Sequence, residues 1–320
     1  MTSMPPTLTE MTFEIPILEE SPTFSVVIST YNYGQFLAQA IDSVLKQTFD
    51  DYEILIVNDG STDNTDEIIK PYLYNPKLRY YKKKNGGQAS AKNYGIRHAR
   101  GIYIAFLDAD DCWEADKLKK QLSLFKSQDD RVGVVFSHVR VIGPAGEHIP
   151  SENPNRYRGN VLYWLYGDNF ICFSSSCVKR SLLQVHGMFD EALKMGIDYD
   201  LWLRLSLVTE FDYVPEPLVA YRTGHGQMSN SLEGRAYWAQ LIEDRFDAKH
   251  PYVVTKTMKR RCQYEKAFTC FRTFEVKDKR IALRALLRML VLSPLSIVTY
   301  KSIVRFIVVN VVPTAKRSYR

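Results

Sequence analysis

The chain has few cysteines, no long apolar run and no glycine-rich phosphate signature, and each gap argues against a class of protein. Its five cysteines (Cys112, Cys172, Cys177, Cys262 and Cys270) are an odd number among 320 residues, and no two stand in CxxC spacing. That argues against a disulfide framework or a zinc site and suits a reducing compartment. No stretch reaches the roughly 18–20 uncharged apolar residues that a membrane span needs. The nearest runs, 289–300 and 303–312, contain Pro294 and Arg305. Residues 1–22 carry neither a basic start nor an apolar core, so a loosely held arm is expected there and not a secretion signal. A cytoplasmic location is the resulting expectation. Neither GxGxxG nor GxxxxGK[ST] occurs, so dinucleotide and P-loop readings lose support.

The length suits one large domain with a well-buried core, or one and a half. Hydrophobic residues make up 45%, which is ordinary for a globular protein. The net charge of +6 is unevenly spread. From residue 251 to the end, 16 Lys/Arg face 3 Asp/Glu, a net of +13, which leaves −7 for the first 250 residues. An acidic body with a basic end predicts an anionic partner for the latter.

Apolar, β-branched runs at 24–30, 52–58, 78–81, 101–107 and 132–137 predict strands. Helical spacing at 36–47, from about 64 to 72, 89–99 and 115–125 predicts helices between them. That alternation predicts an α/β fold, a mostly parallel sheet flanked by helices. In such sheets ligands bind beyond the carboxyl ends of the strands, and STYN, NDGS, KKNGG and DADD all fall there. Beyond 138 the pattern loosens. A strand is expected within 170–178, a helix over 198–208, a short strand over 218–221 and helices from 232 onward.

Asp108, Asp110 and Asp111 repel one another unless something neutralises them, and Mg²⁺ or Mn²⁺ would; the same residues also suit a turn with a helix cap. Asp59 could accept hydrogen bonds from a base or ribose, or make an Asx-turn. Lys92 and Asn93 could reach a diphosphate beside the glycines of NGG, or belong to a plain loop. Asp198 and Asp200 diverge on one helix, so one is expected to be functional and the other structural. An aspartate opening a helix could be a general base or a cap. Arg222 and His225 sit in a glycine-rich segment that could close over a diphosphate or simply be a surface loop.

The stretches VVISTYNYGQFLAQAIDSVLKQT, ILIVNDGSTDNT, NGGQASAKNYGI, YIAFLDADD with CWEADKL, and DYDLWLRL resemble, in this order, family 2 glycosyltransferases with the GT-A fold. The resemblance covers about 24–225. It implies a GT-A (Rossmann-like) domain at 23–231, with a nucleotide-binding half, 23–137, and an acceptor half, 138–231. A basic helical region, 232–320, follows. It also implies an inverting single displacement from a nucleotide-sugar donor, UDP-linked in most relatives, with metal bridging the diphosphate. By the same resemblance Thr30, Tyr31 and Asn32 line the nucleotide pocket, Asp59 holds the base, Lys92 stands at a commonly basic position, Asp108 touches the ribose, Asp110 the metal, and Asp198 is the base. Ile197 stands where many relatives have Glu, so the partner carboxylate is missing. His225 corresponds loosely to a residue that holds metal or diphosphate. The implied acceptor is a glycan or lipid-linked glycan. A nucleotide-sugar sensor on the same fold and a nucleotidyltransferase are the competing classes. Intact DADD and Asp198 weigh against the first, and STYNYG after strand one against the second.

The segment IALRALLRMLVLSPLSIVTYKSIVRFIVVNVV sets apolar residues at helical spacing among Arg284, Arg288, Lys301 and Arg305. It fits an interfacial helix pair on an anionic membrane surface, or a helical subdomain packed on the body or in a homodimer. No nucleic-acid partner is expected, because aromatic interleaving and recognisable motifs are absent.

Overall fold

The computed structural model describes residues 21–127, 129–151, 157–226 and 231–310. They form two compact units. The first comprises the described residues up to Leu162 together with Phe170–Ile242, and the second comprises Tyr163–Asn169 and the described residues from Glu243 onward.

The first unit opens with β1 (Phe24–Thr30), α1 (Gly34–Leu45), β2 (Tyr52–Asn58), α2 (Thr65–Ile69), β3 (Leu78–Lys82), α3 (Gln88–His98) and β4 (Tyr103–Asp108). It continues through β5 (Cys112–Trp113), α4 (Lys117–Ser127), β6 (Val132–Ile142), β7 (His148–Ile149), α5 (Leu162–Leu165), β8 (Cys177–Lys179), α6 (Arg180–His186), α7 (Ile197–Leu205) and β9 (Glu210–Arg222). The sheet order is β3-β2-β1-β4-β8-β6-β9-β5, with β7 paired to β6. β1 to β4 pair in parallel, as the βαβ alternation predicts. Beyond β4 the sheet is mixed: β4–β8, β8–β6 and β9–β5 are antiparallel, and β6–β9 is parallel.

β1 and β2 are buried along nearly their whole length, which is why they read as unbroken apolar runs and not as alternating ones. α1 buries Leu37, Ala40, Ile41 and Val44, one stripe at helical spacing, against them. α3 comes closer to the sheet. A Cβ on Gly95 would lie 2.5 Å from Val27 Cγ1, so only glycine allows this approach. The register sets Thr30 opposite Asn58, Asn58 opposite Lys82 and Ser29 opposite Asp108. The four carboxyl ends therefore form one rim.

Two strands are longer than the sequence predicts. β6 runs on to Ile142 because 139–142 pair with 219–222 of β9. β9 starts at Glu210, and Pro215 and Pro217 are taken up where the register shifts near Ser137 and His138. The strand expected within 170–178 is reduced to β8. Before it, Phe173–Ser175 form a 3₁₀ turn, and the Ser175 and Ser176 hydroxyls donate to the carbonyls of Cys172 and Phe173.

α8 (Leu232–Lys249) crosses from the first unit to the second, whereas the sequence reading places the break at 231/232. In the second unit, α9 (Lys256–Phe274) is capped by Thr255 and α10 (Lys279–Leu292) by Asp278. They pack Ala267, Phe271, Ala282, Ala285, Leu286 and Met289 into a core, with Ile303 and Phe306 of α11 (Ile297–Asn310) against it. The expectation of helices from 232 onward is met as far as Asn310. The expected N-terminal arm lies outside the described residues, apart from 21 and 22.

Candidate active site

The rim is laced together by its own turn residues. Asn32 takes a positive φ of 56°, its amide oxygen accepts from Thr62 N at 2.8 Å, and its own N–H donates to Ser61 Oγ. Asp63 accepts from Gly34 N at 2.9 Å and from Thr65 N and Oγ1, joining the start of α1 to the start of α2. Thr30 is buried, and its Oγ1 has no hydrogen-bond partner, while Tyr31 is 45% exposed beside it.

Asp59 is buried, and its carboxylate accepts from Lys83 Nζ at 2.7 Å, Gly86 N at 3.0 Å and Gly87 N at 2.8 Å. Asp59, expected to hold the base, also fastens the loop 83–87. Lys92 is also buried. Its ammonium lies 2.7 Å from Asp108 Oδ1, 3.1 Å from Ser29 Oγ and 4.4 Å from the Phe173 ring centre. Lys92, which the sequence reading expects to reach toward a diphosphate, has the Asp108 carboxylate as its charged partner. Asn93 is likewise held by the protein. Its side chain exchanges hydrogen bonds with the Phe189 backbone and donates to Glu191.

The three aspartates after β4 have different surroundings. Asp108 is partly exposed. Asp110 is more enclosed, and burial followed by the Asp108 charge pushes its pKa up to about 7. Asp111 is fully enclosed, and burial, then Asp110 and Asp108, hold its pKa well above the carboxylate range. It accepts from Ser174 Oγ at 2.5 Å and from Arg222 N at 2.8 Å, so it is a brace between β9 and the 173–175 turn and not an exposed ligand or cap. Ser174 also accepts from Asp108 N at 3.0 Å, and its carbonyl accepts from Trp113 Nε1. The sequence reading missed Ser174, because a serine in an apolar run carries no motif.

Arg222 is also tied to the protein. Its guanidinium is buried, donating to the carbonyls of Asp110, Gly143 and Pro144 and to Gln39 Oε1, over the Phe36 ring. His225 behaves otherwise. Its side chain is 4% exposed, packed against Tyr33 and Phe36, with Nε2 3.0 Å from Asp110 Oδ2. The geometry is not that of a hydrogen bond, and neither ring nitrogen has a hydrogen-bond partner. Burial lowers the His225 pKa, so the ring is neutral, the form that ligates metal. Tyr33 is pushed up to about 12 by burial and by Asp110, Asp108 and Asp111, so its phenol stays protonated.

A neutral imidazole nitrogen 3.0 Å from a carboxyl oxygen, in a geometry that makes no hydrogen bond, is a pair that a cation would complete. Buried polar atoms without partners ask for such an explanation. Among the described residues, no three His, Cys, Asp or Glu side chains converge as a metal cage. Asp110 and His225 are two donors of kinds that a divalent ion takes, and its remaining ligands would be oxygens of a bound molecule or water.

Asp198 and Asp200 stand in the first turn of α7, both half-buried. Asp200 pairs with Arg204 at 2.9 Å, and Arg204 donates onward to the carbonyls of His186, Gly187 and Met188. Asp200 therefore ties α7 through Arg204 to the 186–188 backbone.

Residues 25–187 match the sequence model of glycosyl transferase family 2, and the chain belongs to that family. It is a glycosyltransferase of the GT-A fold. It is 30% identical over 287 residues to the hyaluronan synthase of Pasteurella multocida, a match covering 82% of this chain but 28% of that one. Two solved structures share the fold. S. aureus TarS 1-349 in complex with UDP-GlcNAc aligns with a TM-score of 0.54 and 17% identity, over 88% of this chain and 92% of that one. The Pyrobaculum calidifontis mannosyltransferase in complex with GDP-Man and Mn²⁺ aligns with a TM-score of 0.60 and 16% identity, over 98% and 87%.

Proposed function

We propose that this glycosyltransferase moves a sugar from a nucleoside-diphosphate donor, a UDP-sugar, to a hydroxyl of a glycan or lipid-linked glycan, with inversion and with Mg²⁺ or Mn²⁺ bound at Asp110 and His225. The proposal extends to where it works, the cytoplasmic side of an anionic membrane surface. The observation that carries the metal reading is the enclosed Asp110–His225 pair with no hydrogen bond between its members. The TarS complex with UDP-GlcNAc and the mannosyltransferase complex with GDP-Man and Mn²⁺ support a nucleotide-sugar donor and a divalent ion. The likeness to a hyaluronan synthase supports a glycan acceptor.

When bound, the ion supplies positive charge against the charge that grows on the departing diphosphate. The protein's own residues do the rest. Thr30, Tyr31 and Asn32 line the nucleotide, within a loop set that Asp59 braces from behind. Asp108, its charge balanced by Lys92, accepts from the ribose. Asp198 takes the proton of the acceptor hydroxyl as that oxygen bonds to the anomeric carbon and the bond to the diphosphate breaks on the opposite face. The helix N-terminus at α7 favours the ionised carboxylate that this step starts from. The test is a panel of nucleotide sugars assayed for hydrolysis and transfer on wild type and Asp198→Asn. One donor turned over by wild type, and bound but not turned over by Asp198→Asn, is the expected result. Undiminished turnover in Asp198→Asn would remove Asp198 as the base.

A further inference from the structure

The last two described helices carry an outer face that is mostly apolar. On α11 the buried residues are polar, Thr299 and Ser302, and Thr299 Oγ1 is hydrogen-bonded to the Tyr264 hydroxyl at 3.0 Å. Ile297, Tyr300, Val304, Ile307 and Val308 are exposed instead. At about 100° per residue these five fall on one side of the helix, with Lys301 among them. α10 buries Ala282, Ala285, Leu286 and Met289 and exposes Leu283, Leu287 and Val291, spaced by four residues. Arg280, Arg284 and Arg288 are also exposed and repeat at the same spacing, so a basic stripe runs directly beside the apolar one. Leu295, in the turn between the helices, is 92% exposed. An aliphatic surface this continuous is a contact surface, not scatter.

Charge and length choose its partner. α10 and α11 contain no acidic residue. A second copy docked by twofold symmetry would set identical cationic stripes together; an anionic surface attracts all of them. Each helix has 14 residues, about 21 Å, against a hydrocarbon core of about 30 Å. Among the described residues no helix is long and apolar enough to cross a membrane. Between α9 and α10 lies a groove of about 260 Å³ with Arg284 and Arg288 at its edge and Ala267, Ile281 and Ala285 along it; Lys266, which also lines it, is paired with Glu243 at 2.6 Å. Its two exposed guanidiniums, Arg284 and Arg288, are the groups there that an anionic headgroup would meet.

We propose that the α10–α11 face lies flat on a bilayer containing anionic phospholipid, with Leu287, Val291, Leu295, Val304 and Ile307 entering the acyl boundary and Arg284 and Arg288 taking headgroup phosphates. This deepens the membrane-surface part of the proposed function and rests on that part. The experiment is flotation of the full chain with phosphatidylcholine vesicles, with and without phosphatidylglycerol, in the absence of nucleotide sugar. Donor hydrolysis is followed separately, so failure of docking and failure of catalysis are told apart. Binding is expected only with phosphatidylglycerol and is expected to weaken with salt. At roughly fivefold per cation, Arg284→Gln with Arg288→Gln lowers the partition coefficient about thirtyfold. Val304→Asp with Ile307→Asp, both surface changes, abolishes flotation while donor hydrolysis is unchanged. Equal flotation with neutral vesicles, no flotation at all, or a concentration-dependent dimer lost in Val304→Asp with Ile307→Asp would each overturn the proposal.

Discussion

Replacing Lys92 by Met keeps an unbranched side chain beside Phe173 but removes the ammonium 2.7 Å from Asp108. Lys92 is 3% exposed in its side chain and Asp108 31%, so the cation is enclosed while the carboxylate keeps partial access to water. Breaking a fully buried pair costs about 3–5 kcal/mol. Solvent screening at Asp108 reduces that to about 2–3 kcal/mol. The loss also removes an attractive charge from Asp110, which Asp108 already pushes toward its neutral form. For a unit of this size, each kcal/mol shifts the melting temperature by about 2–4 °C, so a fall of about 4–12 °C is expected at neutral pH. Thermal melting of wild type and Lys92→Met, read by near-UV circular dichroism, measures it. A fall of less than 2 °C would mean that Lys92 does not neutralise Asp108, and the account of the aspartate cluster would fail with it.

Ser174→Ala removes one hydroxyl that donates to Asp111 and accepts from Asp108 N. It leaves two buried groups short of partners, at about 1–3 kcal/mol each. Lower melting temperature and weaker nucleotide-sugar binding are expected together in a calorimetric titration, and unchanged affinity would separate Ser174 from the site. Burial alone would raise the pKa of Glu53, but hydrogen bonds from Ser25 and Arg100 N and the charges of Arg79 and Arg100 outweigh it and hold the pKa below its ordinary value. A depressed folded pKa gives stability that is fully present above about pH 4.3, the ordinary glutamate value, and is lost as pH falls through the lower folded value. The gap in melting temperature between wild type and Glu53→Gln is therefore expected to be constant near neutrality and to close below about pH 4. A gap independent of pH would contradict this.

The parallel half of the sheet was legible because β1 and β2 are enclosed on both faces and read as unbroken β-branched runs. The turn residues after β1, β2 and β4 announced the rim. The lengths of β6 and β9 were not legible, since Pro215 and Pro217 fit only through register shifts that a partner strand defines. Neighbouring residues in one motif also proved to have different roles. Asp110 meets His225, whereas Asp111 braces Arg222 and Ser174, and only the tertiary fold separates them. The partners of the basic residues were least legible, because a lysine or arginine near a proposed phosphate looks the same in sequence whether or not, like Lys92 and Arg222, it is bound to the protein. On α11 helical spacing was visible, but nothing local said that Thr299 and Ser302 would turn inward.

The most direct test is a calorimetric titration of the nucleotide sugar that wild type turns over, with Mn²⁺ or with EDTA, on wild type and Asp110→Ala. The account predicts that EDTA weakens binding to wild type at least about tenfold, equivalent to about 1.4 kcal/mol, and leaves the already weak binding of Asp110→Ala unchanged. Equal affinity with and without metal in wild type would contradict a divalent ion at Asp110 and His225.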